Sequence, residues 1–158
     1  MDLKARIQED VKTAMRARDK DRLGALRQLT AAIKQREIDD RAALGAAGLD
    51  DVGVLAVIDK MLKQRRESLE QYTLAGRDDL AAQERLEIEV LGGYLPAALS
   101  AAEVEAMIDA VIAGLGAESD SIGMRDMGRV MSALRPQVQG RADMGAVSAA
   151  VKARLARA

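Results

Sequence analysis

The sequence predicts an all-α, multihelical fold with an N-terminal domain of long helices and a small C-terminal three-helix bundle. Apolar residues recur at intervals of three and four along most of the chain, as one face of an α-helix requires, and no segment alternates with the period of a β-strand. Of the 158 residues, 49% are hydrophobic and 31% are charged. This balance is typical of an ordered, soluble protein rather than a disordered one.

The first two predicted helices form a hairpin. Asp2 is a suitable N-cap for a helix that ends near Arg18, because an apolar stripe follows it at intervals of four. A polar break then leads into a second helix over residues 22 to about 38. The acidic, glycine-containing stretch at 39–51 is predicted to be a loop. The stripe of the first helix comprises Leu3, Ile7, Val11 and Met15.

Two further helices complete the N-terminal domain. The apolar spacing predicts a long helix over residues 52–75, and Gly76 is expected to end it through a positive φ. Asp78 or Asp79 is expected to cap a fourth helix. The glycine pair at 92–93 ends that helix.

The C-terminal domain is predicted from its caps and breaks. The Gly-Gly-Tyr-Leu-Pro segment separates a domain at 1–95 from a domain at 96–158. Ser100 and Glu103 have the spacing of a capping box, in which each side chain accepts from the backbone N–H of the other, and they start a fifth helix. The glycine-containing, polar segment at 114–121 is predicted to be a loop before a sixth helix.

The last turn carries a residue that local structure does not explain. The sixth helix is expected to end near Pro136, since proline breaks helices. Gly140 suits a tight turn with positive φ, and Asp143 suits the N-cap of a seventh helix. Arg141 is not needed for either role, and it lies beside helix N–H groups that favour an anion such as phosphate. A purely structural turn and an anion site both remain open.

The composition excludes several classes of site. The chain has no His and no Cys, so it lacks the commonest general base, thiolate metal ligands and disulfides. No nucleophile, phosphate-binding or metal motif is recognisable. Glu87 and Glu89 diverge on a helix and are interpreted as solvated surface rather than as an acid–base or Mg²⁺ pair. We therefore expect no enzymatic activity, no cofactor and no metal.

No targeting or membrane segment is recognisable. Charged residues interrupt the opening MDLKARIQEDVKTAM, where a secretion signal needs an apolar run, and its acidic residues argue against a transit peptide. The longest uncharged run, at 90–102, is too short and too broken by Gly and Pro to span a bilayer. We therefore expect a soluble, cytoplasmic protein with no membrane partner.

The net charge of −1 conceals a polarised distribution. Residues 1–36 carry ten basic and five acidic side chains, residues 37–120 carry seven and eighteen, and residues 121–158 carry seven and two. Both ends are thus basic around an acidic middle. Local positive charge of this kind attracts polyanions even when the net charge does not.

The basic C-terminal segment contains the candidate binding residues. Arg125 and Arg129 are four apart on the sixth helix, a like-charge spacing that favours a bound anion unless Asp126 neutralises it. The basic cluster at 60–67 has the spacing of ordinary surface ion pairs instead. Because the chain has only two aromatic side chains, a nucleic acid would be held by its backbone and shape rather than by base stacking. The candidate contacts are Arg125, Arg129, Arg135, Arg141 and Lys152.

Five segments carry a family resemblance: RLGALRQLTAAIKQREID (22–39), DKMLKQRRESLEQY (59–72), AGR (75–77), EIEVLGGYLPAALS (87–100) and DMGRVMSALRPQVQGRADMGAVSAAVKARL (126–155). They resemble the GatB/YqeY family, and in particular its free-standing YqeY-like members. The last segment is similar to the tail domain of the GatB subunit of tRNA-dependent amidotransferase, although the spacing from Met131 to Gly140 is longer and Ser148 replaces Asn. The matching motif positions include Gly128, Met131, Gly140, Asp143 and Val147.

The resemblance implies a non-catalytic helical module that binds tRNA or a tRNA-handling complex. In GatB-type subunits the tail helps to hold the tRNA, whereas catalysis lies in a portion that has no counterpart here. The resemblance also makes Arg141 the leading candidate for a phosphate contact. Two alternatives remain open. One is a protein-interaction adaptor, suggested by the acidic middle and the long third helix, and the other is an accessory part of a glutamine-dependent carbon-nitrogen ligase acting on misacylated tRNA.

Overall fold

The computed structural model describes residues 2–116 and 122–157, and within these ranges the chain is helical and contains no β-strand. The all-α prediction is therefore confirmed. Two 3₁₀ turns, Gly45–Ala47 and Met124–Asp126, accompany the helices. The described α-helices are α1 Leu3–Ala17, α2 Lys20–Asp39, α3 Arg41–Leu44, α4 Asp51–Leu74, α5 Asp78–Gly92, α6 Ala101–Gly116, α7 Met127–Val138 and α8 Met144–Ala156.

The backbone separates into two compact units, one that ends at Leu95 and one that begins at Pro96. They are named here the N-terminal unit, which contains α1 to α5, and the C-terminal unit, which contains α6 to α8. Within the described ranges, no helix combines the length and the apolar character that crossing a bilayer requires.

The core of the N-terminal unit is aliphatic. α1, α2, α4 and α5 each turn one apolar face inward, and α4 and α5 pack along each other as a helical hairpin. Because Phe and Trp are absent from the chain, branched aliphatic residues supply almost all of the packing. The large buried side chains of this core are Ile7, Leu26, Leu29, Ile33, Leu49, Val54, Ile58, Leu62, Val90, Leu91 and Tyr94.

Aspartate side chains fix the starts of three helices in this unit. Asp2, Asp19 and Asp50 each accept a hydrogen bond from the backbone N–H three residues later, which is the geometry of an N-cap. The predicted start of the second helix at residue 22 is therefore wrong, because the cap on Asp19 lets α2 begin at Lys20.

The stretch predicted as a loop at 39–51 contains short helical turns. α2 continues to Asp39, and α3 and the first 3₁₀ turn follow at 41–47. Gly45 and Gly48 suggested a loop, yet their positive φ values of 63° and 71° occur at the ends of these turns. Composition alone does not distinguish a glycine that ends a helical turn from a glycine in an irregular loop.

α4 ends at Leu74, and Gly76 terminates it as predicted. Gly76 has a φ of 68°, and its N–H and that of the next residue bond back to the carbonyls of Thr73 and Tyr72, which is a Schellman motif. α5 then begins without a side-chain cap. The prediction that Asp78 or Asp79 caps it is wrong, because both lie in its first turn, where the helix dipole favours negative charge.

A buried polar cluster joins α2, α4 and α5. Arg65 Nη1 lies 3.2 Å from Glu87 Oε2 and 3.5 Å from Glu84 Oε1. The two glutamates are 4% and 7% exposed, respectively. Gln28 and Gln83 donate further hydrogen bonds to Glu87. The interpretation of Glu87 as solvated surface is therefore wrong, because α5 turns this residue toward α2 and α4.

The C-terminal unit is a three-helix bundle of α6, α7 and α8. The predicted capping box is confirmed, since Ser100 N–H lies 2.7 Å from Glu103 Oε2 and Glu103 N–H lies 3.2 Å from Ser100 Oγ. The loop predicted from Gly114 begins too early, because α6 continues to Gly116. The rest of that loop, at 117–121, lies outside the described residues. The buried core comprises Val104, Ile108, Val130, Leu134, Val138, Val147, Val151 and Leu155.

α7 passes through Pro136 and ends at Val138, two residues later, so it ends near the proline as predicted. Proline has no N–H and therefore removes one helical hydrogen bond, to the carbonyl of Ser132. The loss falls in the last turn of α7. The buried side chain of Val138 anchors that turn, and Gln139 N–H bonds to the Arg135 carbonyl at 3.0 Å.

Candidate nucleic-acid interface

The turn before α8 has the geometry that the sequence predicts. Gly140 has a φ of 75°, and Asp143 Oδ2 accepts a 3.0 Å hydrogen bond from the N–H of Ala146. Val147 is buried in the core of the C-terminal unit. These three residues supply the turn, the cap and the first buried position of α8, and all three roles are structural.

Arg141 has a structural role that the sequence did not reveal. Its Nε donates a 3.0 Å hydrogen bond to the carbonyl of Ala97, and its own carbonyl accepts a 2.7 Å hydrogen bond from the N–H of Leu99. Its N–H bonds to the Val138 carbonyl at 2.9 Å. The half-buried Arg141 thereby ties the stretch before α6 to the turn before α8. Local patterns could not find this role, because Ala97 lies 44 residues earlier.

One carboxylate holds the pair Arg125 and Arg129. Asp126 is 7% exposed; its Oδ1 lies 3.3 Å from Arg129 Nη1 and its Oδ2 lies 3.8 Å from Arg125 Nε. Asp126 also accepts a 3.0 Å hydrogen bond from the N–H of Gly123. This backbone bond, with help from Arg129, lowers the pKa of Asp126 below its ordinary value. The structure thus brings the arginine pair together around a charged aspartate and leaves both side chains exposed.

Arg135 and Lys152 are exposed and lie on different helices. Arg135 is six residues beyond Arg129 on α7, which places it roughly 120° around the helix from that residue. Lys152 follows the buried Val151 on α8. The predicted contacts are therefore distributed over α7, α8 and the adjoining turns, and they do not come from a single helix face.

The C-terminal unit is electrically polarised. All of its Lys and Arg residues lie after residue 121, whereas α6 carries Glu103, Glu105 and Asp109 and no basic side chain. Asp109 pairs with Arg154 of α8 at 2.7 Å. The unit therefore consists of one acidic helix and two helices that carry the basic side chains.

The remaining motif positions lie on α7. Met131 packs, partly buried, against the core of the C-terminal unit. Gly128 is exposed, and a Cβ at this position would meet no atom within 4 Å, so packing does not require glycine there. In the part of the chain that the structure describes, no group of three or more acidic, His or Cys side chains could hold a metal. The basic side chains offer charge and N–H donors to an anionic ligand.

The chain matches known proteins over most of its length. A family model described as Yqey-like protein matches residues 4–155. The protein named Altered inheritance of mitochondria protein 41, mitochondrial, from Eremothecium gossypii is 36% identical over 113 residues, which is 70% of this chain and 60% of that protein. Proteins of the same name from Lachancea thermotolerans and Pyrenophora tritici-repentis are 32% and 30% identical.

The alignments cover 80% and 82% of this chain for the latter two relatives, and 66% and 70% of the relatives themselves. The chain therefore spans about 60% to 70% of the length of these three curated proteins. The activities of the whole relatives do not transfer to it directly.

The names of these relatives contradict the predicted cytoplasmic location, because they describe mitochondrial proteins. The prediction rested on the absence of an apolar leader and on acidic residues near the N-terminus. A transit peptide is a separate amphipathic segment, so the residues of a folded domain do not indicate its compartment. The family match is independent of location and extends over both units. The chain belongs to the Yqey-like protein family.

Proposed function

We propose that the C-terminal unit is a non-catalytic module that binds tRNA through its phosphates. The observation that carries this proposal is the excess of basic over acidic side chains at 121–158, seven against two. Asp126 and Asp143 both accept hydrogen bonds from backbone N–H groups. Their two negative charges offset only two of the seven positive ones, which leaves residues 121–158 with a net charge of +5.

The arrangement suits an extended, repeating anion better than a small one. Arg125 and Arg129 lie together, whereas Arg135 and Lys152 lie on other parts of α7 and α8. A nucleic acid backbone offers phosphates at regular spacing, so separated cations contact it at the same time. The acidic α6 would face away from the RNA because its carboxylates repel phosphate.

The resemblance of residues 126–155 to the GatB tail supports tRNA as the class of RNA. The shortage of aromatic residues supports recognition by backbone and shape, since bases have little to stack on. The relatives' names suggest a mitochondrial setting for those proteins, so mitochondrial tRNA belongs among the probes.

The test is the affinity of the full chain for tRNA across a range of salt concentrations. Each phosphate contact that is lost should reduce the log–log salt slope by about 0.7 to 0.9. We therefore expect Arg129→Gln and Lys152→Gln to weaken binding and flatten the slope. Arg85→Gln is the matched control, because Arg85 is exposed on α5 within the acidic middle.

Two results would contradict the proposal. Equal affinity for tRNA and for heparin, a polyanion without RNA shape, would remove the specific claim. Unchanged salt slopes in both variants would remove the assigned contacts.

An adaptor function is the second candidate, and one observation favours it. Residues 37–120 carry eighteen acidic and seven basic side chains, a charge that attracts a basic protein surface, and Leu74, at the end of α4 in this segment, is 82% exposed. In a pull-down from cell extract, some protein partners of wild type should remain bound after nuclease treatment if the adaptor function is correct. Loss of these partners in a Leu74→Ser variant would support that function. Loss of all partners on nuclease treatment would support the tRNA function instead.

A further inference from the structure

A cavity of about 490 Å³ opens in the N-terminal unit beside Tyr94, within the range of roughly 300–1,000 Å³ that is common for small-molecule sites. It is named here the Tyr94 pocket. α1 contributes Arg6 and Asp10 to its lining, and the start of α2 contributes Asp19 and Arg22. α5 and the residues after it supply the remaining wall.

The back of the pocket is fixed by Tyr94. Its hydroxyl donates a 2.6 Å hydrogen bond to Asp10 Oδ2, and the guanidinium of Arg6 covers its ring at 5.0 Å from the ring centre. Burial, together with the bond to Asp10, raises the pKa of Tyr94 above its ordinary value. The phenol therefore stays neutral and donates to Asp10, which leaves this carboxylate partly satisfied.

The two arginines of the pocket have unused donors. The Nη2 of Arg6 donates a long 3.3 Å hydrogen bond to the Gly93 carbonyl, and no carboxylate of the described residues pairs with Arg6. The Arg22 guanidinium lies 4.0 Å from Asp10, at the outer limit of an ion pair. Each guanidinium carries five N–H donors in a planar fork that suits a carboxylate.

Carboxylates and an apolar wall face the same cavity. Glu89 is exposed on α5, and no residue in the described ranges holds its side chain. One oxygen of Asp19 caps α2 by accepting from Arg22 N–H, which leaves its second oxygen available. Leu86 and Val90 are one turn apart on α5 and line the cavity with aliphatic surface.

These charges select the chemical class of ligand. An anion alone would meet three carboxylates, and a cation alone would meet two guanidiniums. A molecule with one group of each sign satisfies both sets. We propose that the Tyr94 pocket binds a small zwitterion of the α-amino-acid class, with its carboxylate at Arg6 and Arg22 and its ammonium at Glu89 and Asp19.

In this arrangement Leu86 and Val90 contact an aliphatic side chain of the ligand. The site lies in the N-terminal unit and does not depend on tRNA binding by the C-terminal unit.

The experiment is isothermal titration of the full chain with L-leucine, L-leucinamide and N-acetyl-L-leucine. The amide lacks the carboxylate, and the acetylated compound lacks the ammonium group. Because a charged group left without its partner is costly, we expect both analogues to bind roughly tenfold or more weakly than L-leucine. Glycine, which has the same charges and no side chain, should bind more weakly as well.

Variants locate the site. Arg22→Gln and Glu89→Gln should each weaken L-leucine binding and leave thermal unfolding unchanged, because both side chains are largely solvated. Arg27→Gln on α2 and Glu70→Gln on α4 are matched exposed controls outside the pocket, and they should bind like wild type. The proposal is overturned if L-leucine gives no saturable binding, if the blocked analogues bind equally well, or if the control variants lose binding to the same extent.

Discussion

The Nε of Arg141 donates a 3.0 Å hydrogen bond to the carbonyl oxygen of Ala97, 44 residues earlier in the chain. The Arg141 carbonyl accepts in return from the N–H of Leu99. The residue with the strongest sequence argument for contacting RNA is therefore also part of the scaffold. Weak RNA binding by an Arg141 variant would not by itself identify a phosphate contact, which is why Arg129 and Lys152 carry the test.

Arg141→Ala should lower the free energy of unfolding. The variant loses one side-chain hydrogen bond and leaves the Ala97 carbonyl without that donor, so we expect a loss of about 1 kcal/mol. Arg135→Ala removes an exposed side chain nearby and should change stability by less than about 0.5 kcal/mol. Urea unfolding followed by circular dichroism measures both values, and equal effects would show that the Ala97 bond does not stabilise the fold.

Asp143 should tolerate replacement by Asn far better than by Ala. Asn keeps an oxygen that accepts from the Ala146 N–H, whereas Asp143→Ala removes the cap of α8 and should cost about 1 kcal/mol, within a usual range of about 0.5–2 kcal/mol. Urea unfolding of the two variants provides the comparison. Equal losses would mean that the negative charge, rather than the capping bond, is what α8 needs.

Leu134 and Leu74 provide a matched pair of leucines. Leu134 is 0% exposed in the core of the C-terminal unit, whereas Leu74 is 82% exposed. Leu134→Ala leaves a cavity and should cost about 2–5 kcal/mol, but Leu74→Ala should change the free energy of unfolding by no more than about 0.5 kcal/mol. Thermal and urea unfolding check both. A large effect at Leu74 would indicate that another molecule covers it.

Glu84 should make the stability of the N-terminal unit depend on pH. Burial raises the pKa of Glu84; Arg65 opposes this shift and Glu87 adds to it. The folded protein then holds the proton more tightly than the unfolded chain. Below its ordinary pKa of 4.5, Glu84 is protonated in both states and does not lower the free energy of unfolding. Stability is lost as the pH rises through the folded-state pKa.

Glu84→Gln removes this titration. We expect the free energy of unfolding of wild type, measured relative to the variant, to fall as the pH rises above the ordinary pKa of 4.5. Urea unfolding at a series of pH values measures the difference, and Glu70→Gln on the exposed face of α4 is the control. A flat difference for Glu84→Gln would show that Arg65 compensates fully for burial.

The sequence predicted those features that depend on neighbouring residues. The capping box of Ser100 and Glu103, the cap at Asp143 and the positive φ at Gly76 each involve partners within a few positions. Apolar periodicity likewise predicted the all-α class, because a helix repeats its buried face at a fixed interval.

Features that depend on distant partners were not predicted. Glu87 looked like solvated surface because its partners, Gln28 and Arg65, come from other helices. Pro136 lies inside α7 rather than after its end, because the buried Val138 anchors the two residues that follow it. In both cases tertiary packing outweighs a local preference.

The hydrogen bond between Tyr94 and Asp10 also has a topological meaning. It joins positions 84 residues apart in the chain, so the last residues of the N-terminal unit lie beside its first helix. The part of the chain between Asp10 and Tyr94 therefore forms a loop that this hydrogen bond closes. Closure of this kind makes the N-terminal unit a candidate for circular permutation, with the exposed turn at Gly76 as the place to open it.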